Sequence, residues 1–242
     1  MIPILAVIPA RYDSQRFPGK VLVKLGDKPM VQWVYEAAQQ CSAFTEVLVA
    51  TDNEKVADSV REFGGKVEMT RSDHTTGSDR VAEVAERYPN MAAVANVQGD
   101  QPFVTPQMLS ELVAPYQQGN LPAMTTLACP LEEGDYQNPN AVKVICNQHQ
   151  QALYFSRSPI PYYRKQKQAP VFHHLGLYAF SREFLATYSQ LTPTPLEQCE
   201  GLEQLRVLEH GYGITVCQTT HKVLEVNTPE DLQQAQALIK AQ

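Results

Sequence analysis

The stretch Ile4-Leu5-Ala6-Val7-Ile8-Pro9-Ala10-Arg11-Tyr12-Asp13-Ser14-Gln15-Arg16-Phe17-Pro18-Gly19-Lys20 decides the fold of this chain. Ile4 to Ile8 is a short apolar run and reads as a buried strand, while Met30 to Ala38 reads as a helix. Arg11, Arg16 and Lys20 therefore share one loop at the carboxyl end of a first strand. That edge of an open α/β sheet is where ligands bind. Guanidinium forks and a lysine point charge suit phosphate oxygens. Ser14, Gly19 and backbone N–H groups complete an anion cradle. A solvated basic loop needs neither the strand end nor the stiffening by Pro9, Pro18 and Gly19, so a polyphosphate ligand is expected. The loop is no Walker A motif, since G-x-x-x-x-G-K-S/T is absent, and no G-x-G-x-x-G follows the strand.

Outward from this loop, strand and helix signals alternate. Helix is expected near Met30–Gln40, Glu54–Phe63, Ser78–Arg87 and Pro106–Tyr116, with strands at Val47–Ala50, Val67–Thr70 and Val94–Val97. Ser78 is the expected N-cap of the third helix. The order predicts a mostly parallel sheet with helices on both faces. After about residue 120 the pattern changes. Met124–Ala128, Val142–Cys146, Gln151–Phe155 and Gly176–Phe180 read as strands of a smaller mixed lobe. Helices are expected at Arg182–Gln190, Pro195–Glu209 and Pro229–Ala241, and a strand at Gly213–Thr219. The 242 residues thus read as one α/β domain: a nucleotide-binding part over about 1–120, a lobe over about 121–210, and a strand and helix over 211–242 returning to the main sheet.

Composition sets limits. Hydrophobic content of 43% and charge content of 19% are ordinary for a globular chain. A net charge of −6 argues against general nucleic-acid binding. Five scattered cysteines without a C-x-x-C pair fit a reducing cytoplasm. No secretory signal or membrane-length apolar run is seen, so no membrane partner is expected.

Two further polar segments carry chemistry. Asn96-Val97-Gln98-Gly99-Asp100-Gln101 closes the fourth strand, and Asp100 there either makes a simple Asx-turn or holds Mg²⁺ against phosphates. Thr70-Arg71-Ser72-Asp73-His74-Thr75-Thr76-Gly77-Ser78-Asp79-Arg80 is dense in donors and acceptors and leads into a helix start. His173 and His174 are adjacent on a strand, point to opposite faces, and so do not share a metal.

The loop around Arg11–Lys20 resembles the signature of the sugar-activating nucleotidyltransferases, most closely the 3-deoxy-manno-octulosonate (Kdo) cytidylyltransferases, and the resemblance runs over nearly the whole chain. The Thr-Arg-x-Asp-His run, Gln98-Gly99-Asp100, Asn138-Pro139-Asn140, Phe155-Ser156-Arg157, His174-Leu175-Gly176 and Leu202-Glu203-Gln204-Leu205-Arg206 all carry it. It implies transfer of CMP from CTP to an acidic eight-carbon sugar with release of pyrophosphate, Mg²⁺ as cofactor, a homodimer, and a product feeding lipopolysaccharide assembly. Arg11, Arg16 and Lys20 would bind the triphosphate, with Lys20 and Asp100 catalytic. Pro9, Ala10, Ser14, Arg71, Asp73, Ser78 and Gln98 would meet the nucleotide. Gln98, Arg157, His174, Tyr178, Glu203 and Gln204 would orient the sugar acid. Two departures stand out. Glu225-Val226-Asn227-Thr228-Pro229 carries Asn227 where the family has a second metal-binding aspartate. The segment Pro159 to Lys167 is shorter than the family loop, basic and aromatic, which leaves Kdo and its 8-amino analogue both open. Rival readings are a nucleotidyltransferase for another acidic sugar and a non-catalytic nucleotide-binding homologue.

Overall fold

The computed structural model describes residues 2–13, 17–165, 169–226 and 228–240. Ser14, Arg16 and Asn227 of the expected site lie outside the described residues, as does Lys167 of the short loop. The chain divides into two compact units, one of residues up to Ser110 with those from Val223 on, the other spanning Glu111–Lys222.

The first unit is built on parallel strands. β1 (Ile4–Pro9) is followed by a short hairpin, β2 (Lys24–Leu25) and β3 (Lys28–Pro29), then α1 (Met30–Gln40), β4 (Glu46–Thr51), α2 (Glu54–Glu62), β5 (Val67–Met69), α3 (Gly77–Glu86) and β6 (Ala93–Asn96). β1 lies between β6 and β4, and β5 pairs on the far side of β4, all parallel. Ile4 through Ile8 are wholly buried. A strand covered on both faces reads as an unbroken apolar run. The hairpin was not expected from sequence; two-residue strands leave too short a pattern to read.

The helix starts depend on local chemistry. Asn53 caps α2, its side chain accepting from the Lys55 N–H at 3.0 Å. At α3 the expectation of Ser78 as N-cap is corrected. Thr76 is the cap, in a reciprocal box with Asp79, because its hydroxyl accepts from the Asp79 N–H at 3.1 Å and the Asp79 carboxylate accepts from the Thr76 N–H at 3.2 Å. Ser78 lies inside the first turn and is buried. The last helix, α8 (Pro229–Lys240), belongs to this unit: Leu25, Met30, Val226 and Ala235 form a buried cluster with Trp33, Leu232 and Ile239 against it.

α4 (Pro106–Gln117) begins in the first unit and ends in the second. The second unit then contains β7 (Met124–Pro130), β8 (Lys143–Cys146), β9 (Ala152–Ser156), β10 (Phe172–Ser181), α5 (Arg182–Tyr188), α6 (Pro195–Glu200), α7 (Gln204–Glu209) and β11 (Ile214–Gln218). β7 pairs with β11 in parallel and with β10 antiparallel; β8 bridges β10 and β9, both antiparallel. Within β10 the register shifts between His174 and Tyr178, where Gly176 takes φ +67°. Only glycine enters that left-handed region without strain. The single helix expected over Pro195–Glu209 is two. Gly201, at φ +62°, ends α6 in a left-handed cap, and α7 starts afresh at Gln204. The restart turns the buried face, so that Leu202, Leu205 and Val207 are buried and Leu208 is only half-buried.

Candidate functional site

The charged centre of the first unit follows from the neighbouring ends of β1 and β6. Val7 and Asn96 stand in register, and the Val97 N–H continues the ladder to the Val7 carbonyl at 3.0 Å. The loops leaving these strands therefore start side by side. A Cβ at Gly99 would lie 3.0 Å from the Pro9 carbonyl oxygen, and one at Gly77 would lie 3.3 Å from the Pro9 ring. Glycine at both positions lets the loops after β6 and β5 close on Pro9. Ala10 is wholly buried beneath them, its N–H donating to the Ala50 carbonyl at 2.9 Å.

This packing brings together two residues 80 positions apart: the Lys20 ammonium donates to the Asp100 carboxylate at 2.5 Å, the side chains being 13% and 24% exposed. Gly19, at φ +71°, turns the chain so that its N–H meets the Tyr12 carbonyl at 2.7 Å and Lys20 faces Asp100. Arg11 lies beside the pair's loop, donating from Nη1 to the Thr75 carbonyl at 3.4 Å. The segment before Asn227 also returns here. The Val226 N–H donates to the Asp100 carbonyl at 3.0 Å, and Glu225 accepts from the Gln101 amide at 3.0 Å. Mg²⁺ favours a few carboxylate oxygens completed by substrate phosphates and water. No cluster of three or more His, Cys, Asp and Glu suited to a metal occurs among the described residues. An accessible carboxylate with a cation beside it therefore fits an ion shared with a polyphosphate and does not form a closed protein cage.

The loop after β5 presents Arg71 and Asp73 to solvent, 69% and 72% exposed and 3.4 Å apart. Its backbone is held from α3. Glu83 accepts from the Arg71 N–H at 3.1 Å and pairs with His74 Nε2 at 2.5 Å, while Arg87 holds its other oxygen at 2.6 Å. Burial pushes the Glu83 carboxyl up, but the bonds from His74 and the Arg71 N–H, with the charges of His74 and Arg87, bring it below the ordinary carboxylate value. Beneath the loop, Gln98 donates to Asn96 at 3.2 Å and Asn96 to the Ser78 hydroxyl at 3.1 Å, so three polar side chains run in series from the β6 loop to α3. Arg80 is wholly buried and pairs with Asp52 at 3.0 Å and with the Thr70 hydroxyl.

The second unit gathers the other expected residues. Tyr178 donates its hydroxyl to the Gln204 amide oxygen at 3.1 Å, and the Gln204 amide nitrogen faces His174 Nδ1 at 3.4 Å. The Thr126 hydroxyl stands 2.9 Å from His174 Nε2 and donates its proton to the Leu177 carbonyl at 2.7 Å. With that proton committed, His174 Nε2 carries the hydrogen and Nδ1 accepts. Burial, aided by His173, pushes His174 down to about 3, so the ring is neutral at ordinary pH and does not act there as an acid. Glu203 accepts from Tyr188 at 3.1 Å. Arg157 lies at the end of β9, its Nε donating to the Glu200 carbonyl at 2.8 Å and its Nη1 to the Pro139 carbonyl at 3.1 Å.

A family model described as cytidylyltransferase matches residues 5–222. The 3-deoxy-manno-octulosonate cytidylyltransferase of Acaryochloris marina is 66% identical over 238 residues, covering 98% of this chain and 97% of its own. Its namesake from Synechococcus elongatus is 54% identical, covering 98% of each chain. A solved structure, CMP:2-keto-3-deoxy-manno-octonic acid synthetase complexed with CTP, superposes with TM-score 0.94 at 40% identity over 99% of both chains. The chain belongs to the 3-deoxy-manno-octulosonate cytidylyltransferase family. As a family member it is a nucleotidyltransferase with a mixed α/β fold and a mostly parallel central sheet. The likeness to a 4-diphosphocytidyl-2C-methyl-D-erythritol synthase from Anaerococcus prevotii, with TM-score 0.66 at 13% identity, extends the shared fold alone.

Sequence reasoning missed several residues that organise this cytidylyltransferase. Glu83 carried a signal, since it stands four positions before Arg87 on one helical face. Asn96, Thr126, Lys143 and Glu200 carried none, because each acts on a partner distant in the chain or on a backbone atom.

Proposed function

We propose that this protein transfers CMP from CTP to Kdo, releasing pyrophosphate, and that its product feeds lipopolysaccharide assembly. The observation that carries the reading is the Lys20–Asp100 pair at the joined ends of β1 and β6. Arg11, Arg16 and Lys20 neutralise the triphosphate, and Lys20 leaves the carboxylate to meet phosphate oxygens. Asp100, with Asn227, would hold Mg²⁺. When bound, the ion would supply charge stabilisation on the phosphates at the transferring group. Arg71, Asp73, Ser78 and Gln98 line the nucleotide, the first two from a loop that Glu83 fixes. Arg157 takes the sugar carboxylate; His174, Tyr178, Glu203 and Gln204, with Gln98, orient the sugar hydroxyls. The anomeric oxygen attacks the α-phosphorus directly and gives up its proton to solvent, the bond from the α-phosphorus to the bridging oxygen breaks, and pyrophosphate leaves; catalysis is positioning and charge stabilisation. The names of the relatives support Kdo as acceptor, and the reading includes a cytoplasmic homodimer. No helix among the described residues is long and apolar enough to cross a membrane.

The test is pyrophosphate release with CTP, Mg²⁺ and either Kdo or its 8-amino analogue, run side by side. Release with Kdo is expected. Release with the analogue alone reassigns the acceptor and points to the short aromatic loop around Tyr162. Nucleotide binding without release with either sugar makes the protein a binding homologue.

A further inference from the structure

Lys143 is a buried charge that the proposed chemistry does not use. Its side chain is wholly buried on β8, and its ammonium donates to three carbonyl oxygens: Asn138 at 2.8 Å, Ala141 at 2.9 Å and Arg157 at 2.7 Å. These match the three donors of an ammonium. No carboxylate pairs with it among the described residues. Burial pushes its pKa below the ordinary lysine value, with the charge of Glu200 acting in the other direction. A buried ammonium with no carboxylate in direct contact is a poor way to stabilise a fold, since an apolar side chain of similar size avoids the desolvation. What the ammonium does accomplish is geometric. It ties the 138–141 turn to the backbone at the end of β9, where Arg157 stands.

Glu200 grips the same residue from α6. Its carboxylate accepts from the Ser156 hydroxyl at 2.6 Å and from the Arg157 N–H at 2.9 Å, and its own carbonyl accepts from Arg157 Nε at 2.8 Å. The turn that Lys143 ties down supplies the Pro139 carbonyl to Arg157 Nη1 at 3.1 Å. Arg157 is thus held at its amide, its carbonyl, Nε and Nη1. Nη2 has no hydrogen-bond partner among the described residues. An unrestrained arginine loses much rotamer freedom when it binds. One already held in place loses little, and the fork geometry then discriminates by shape and charge.

We propose that Lys143, together with Glu200, is a positioning residue that aims the Nη2 edge of Arg157 at the carboxylate of the acceptor sugar. The inference deepens the proposed function and rests on the assignment of Arg157 to that carboxylate. Lys143 itself touches no substrate.

The test is a double-mutant cycle of Lys143→Met and Arg157→Ala, read as KM for the sugar, KM for CTP and kcat. Arg157→Ala should raise the sugar KM about 100-fold and Lys143→Met about 10-fold, with the CTP KM little moved. The double variant should be no worse than Arg157→Ala, because the lysine acts only through the arginine. If the two factors multiply in the double variant, or if Lys143→Met raises both KM values alike, the positioning role is overturned. Should Lys143→Met fail to fold, Glu200→Gln in the same cycle carries the same expectation. No pyrophosphate release by the unmutated enzyme overturns the sugar-acid reading and the proposal with it. Release accompanied by multiplying factors overturns the positioning role alone.

Discussion

The polar residues of the two units are held in opposite ways. At the ends of β1 and β6, Lys20 and Asp100 hold each other while partly open to solvent, and Arg71 and Asp73 stand mostly exposed. In the second unit His174, Tyr178 and Gln204 are buried and bonded to one another, and Arg157 is anchored on carbonyls before any ligand is considered. On the proposed function the first set would meet phosphate and metal and the second a polyhydroxy sugar, two ligands that ask different things of a site. Phosphate and metal need charges that exchange partners at low cost, which partial hydration permits. Sugar hydroxyls need donors and acceptors fixed in advance, since an unpaired buried polar group is expensive.

Asp100→Ala should have the largest effect. If the exposed pair is chemical and not structural, kcat should fall by at least about 10³-fold while the melting temperature stays within a few degrees. A large drop in melting temperature with modest loss of rate would make the pair a structural bridge. Arg11→Ala should have a smaller effect, raising the KM for CTP roughly 10-fold with the sugar KM unchanged, since it removes one charge contact to phosphate. The reverse ranking in steady-state kinetics would move Arg11 out of the triphosphate site.

The smallest effect tests the buried net. His174 is pushed down to about 3 by burial and by His173, against an ordinary value of 6.5. The unfolded chain then takes up a proton near pH 6.5 that the folded chain refuses, so stability is full above that pH. It declines as pH falls from 6.5 towards 3, by at most about 1.4 kcal/mol per pH unit. His174→Gln should flatten that acid limb in denaturant titrations, whatever it does to stability at pH 8. An unchanged limb would mean that the ring is charged or solvated in the folded protein.

Much of the architecture was legible because periodicity and polarity act locally. β1, α1, β4, α2 and β6 fall within a residue or so of the expectation, since unbroken apolar runs and amphipathic faces leave few alternatives. The α3 cap lies two residues before the expected Ser78, because Ser78 and Thr76 are equally good caps on paper. Asp79 decides between them, by closing a box only with the residue three positions before it. The break at Gly201 was hidden because leucines on both sides kept a helical rhythm across it. In the candidate site, Lys20 and Asp100 were legible as charges at strand ends, but their direct pairing across 80 residues was not.

The alternation of strand and helix, the carboxyl edge where the charged loops gather, and the family resemblance those loops carry are all written in the order of residues. Folding adds that the loops at Gly77 and Gly99 close on Pro9, that His174 is neutral with its hydrogen on Nε2, and that the Lys143 ammonium bonds the carbonyls of Asn138, Ala141 and Arg157. The physical reason is range. Propensity and patterning are fixed by neighbours a few residues away, whereas burial, protonation and the choice of hydrogen-bond partner depend on atoms that meet only once the chain has folded.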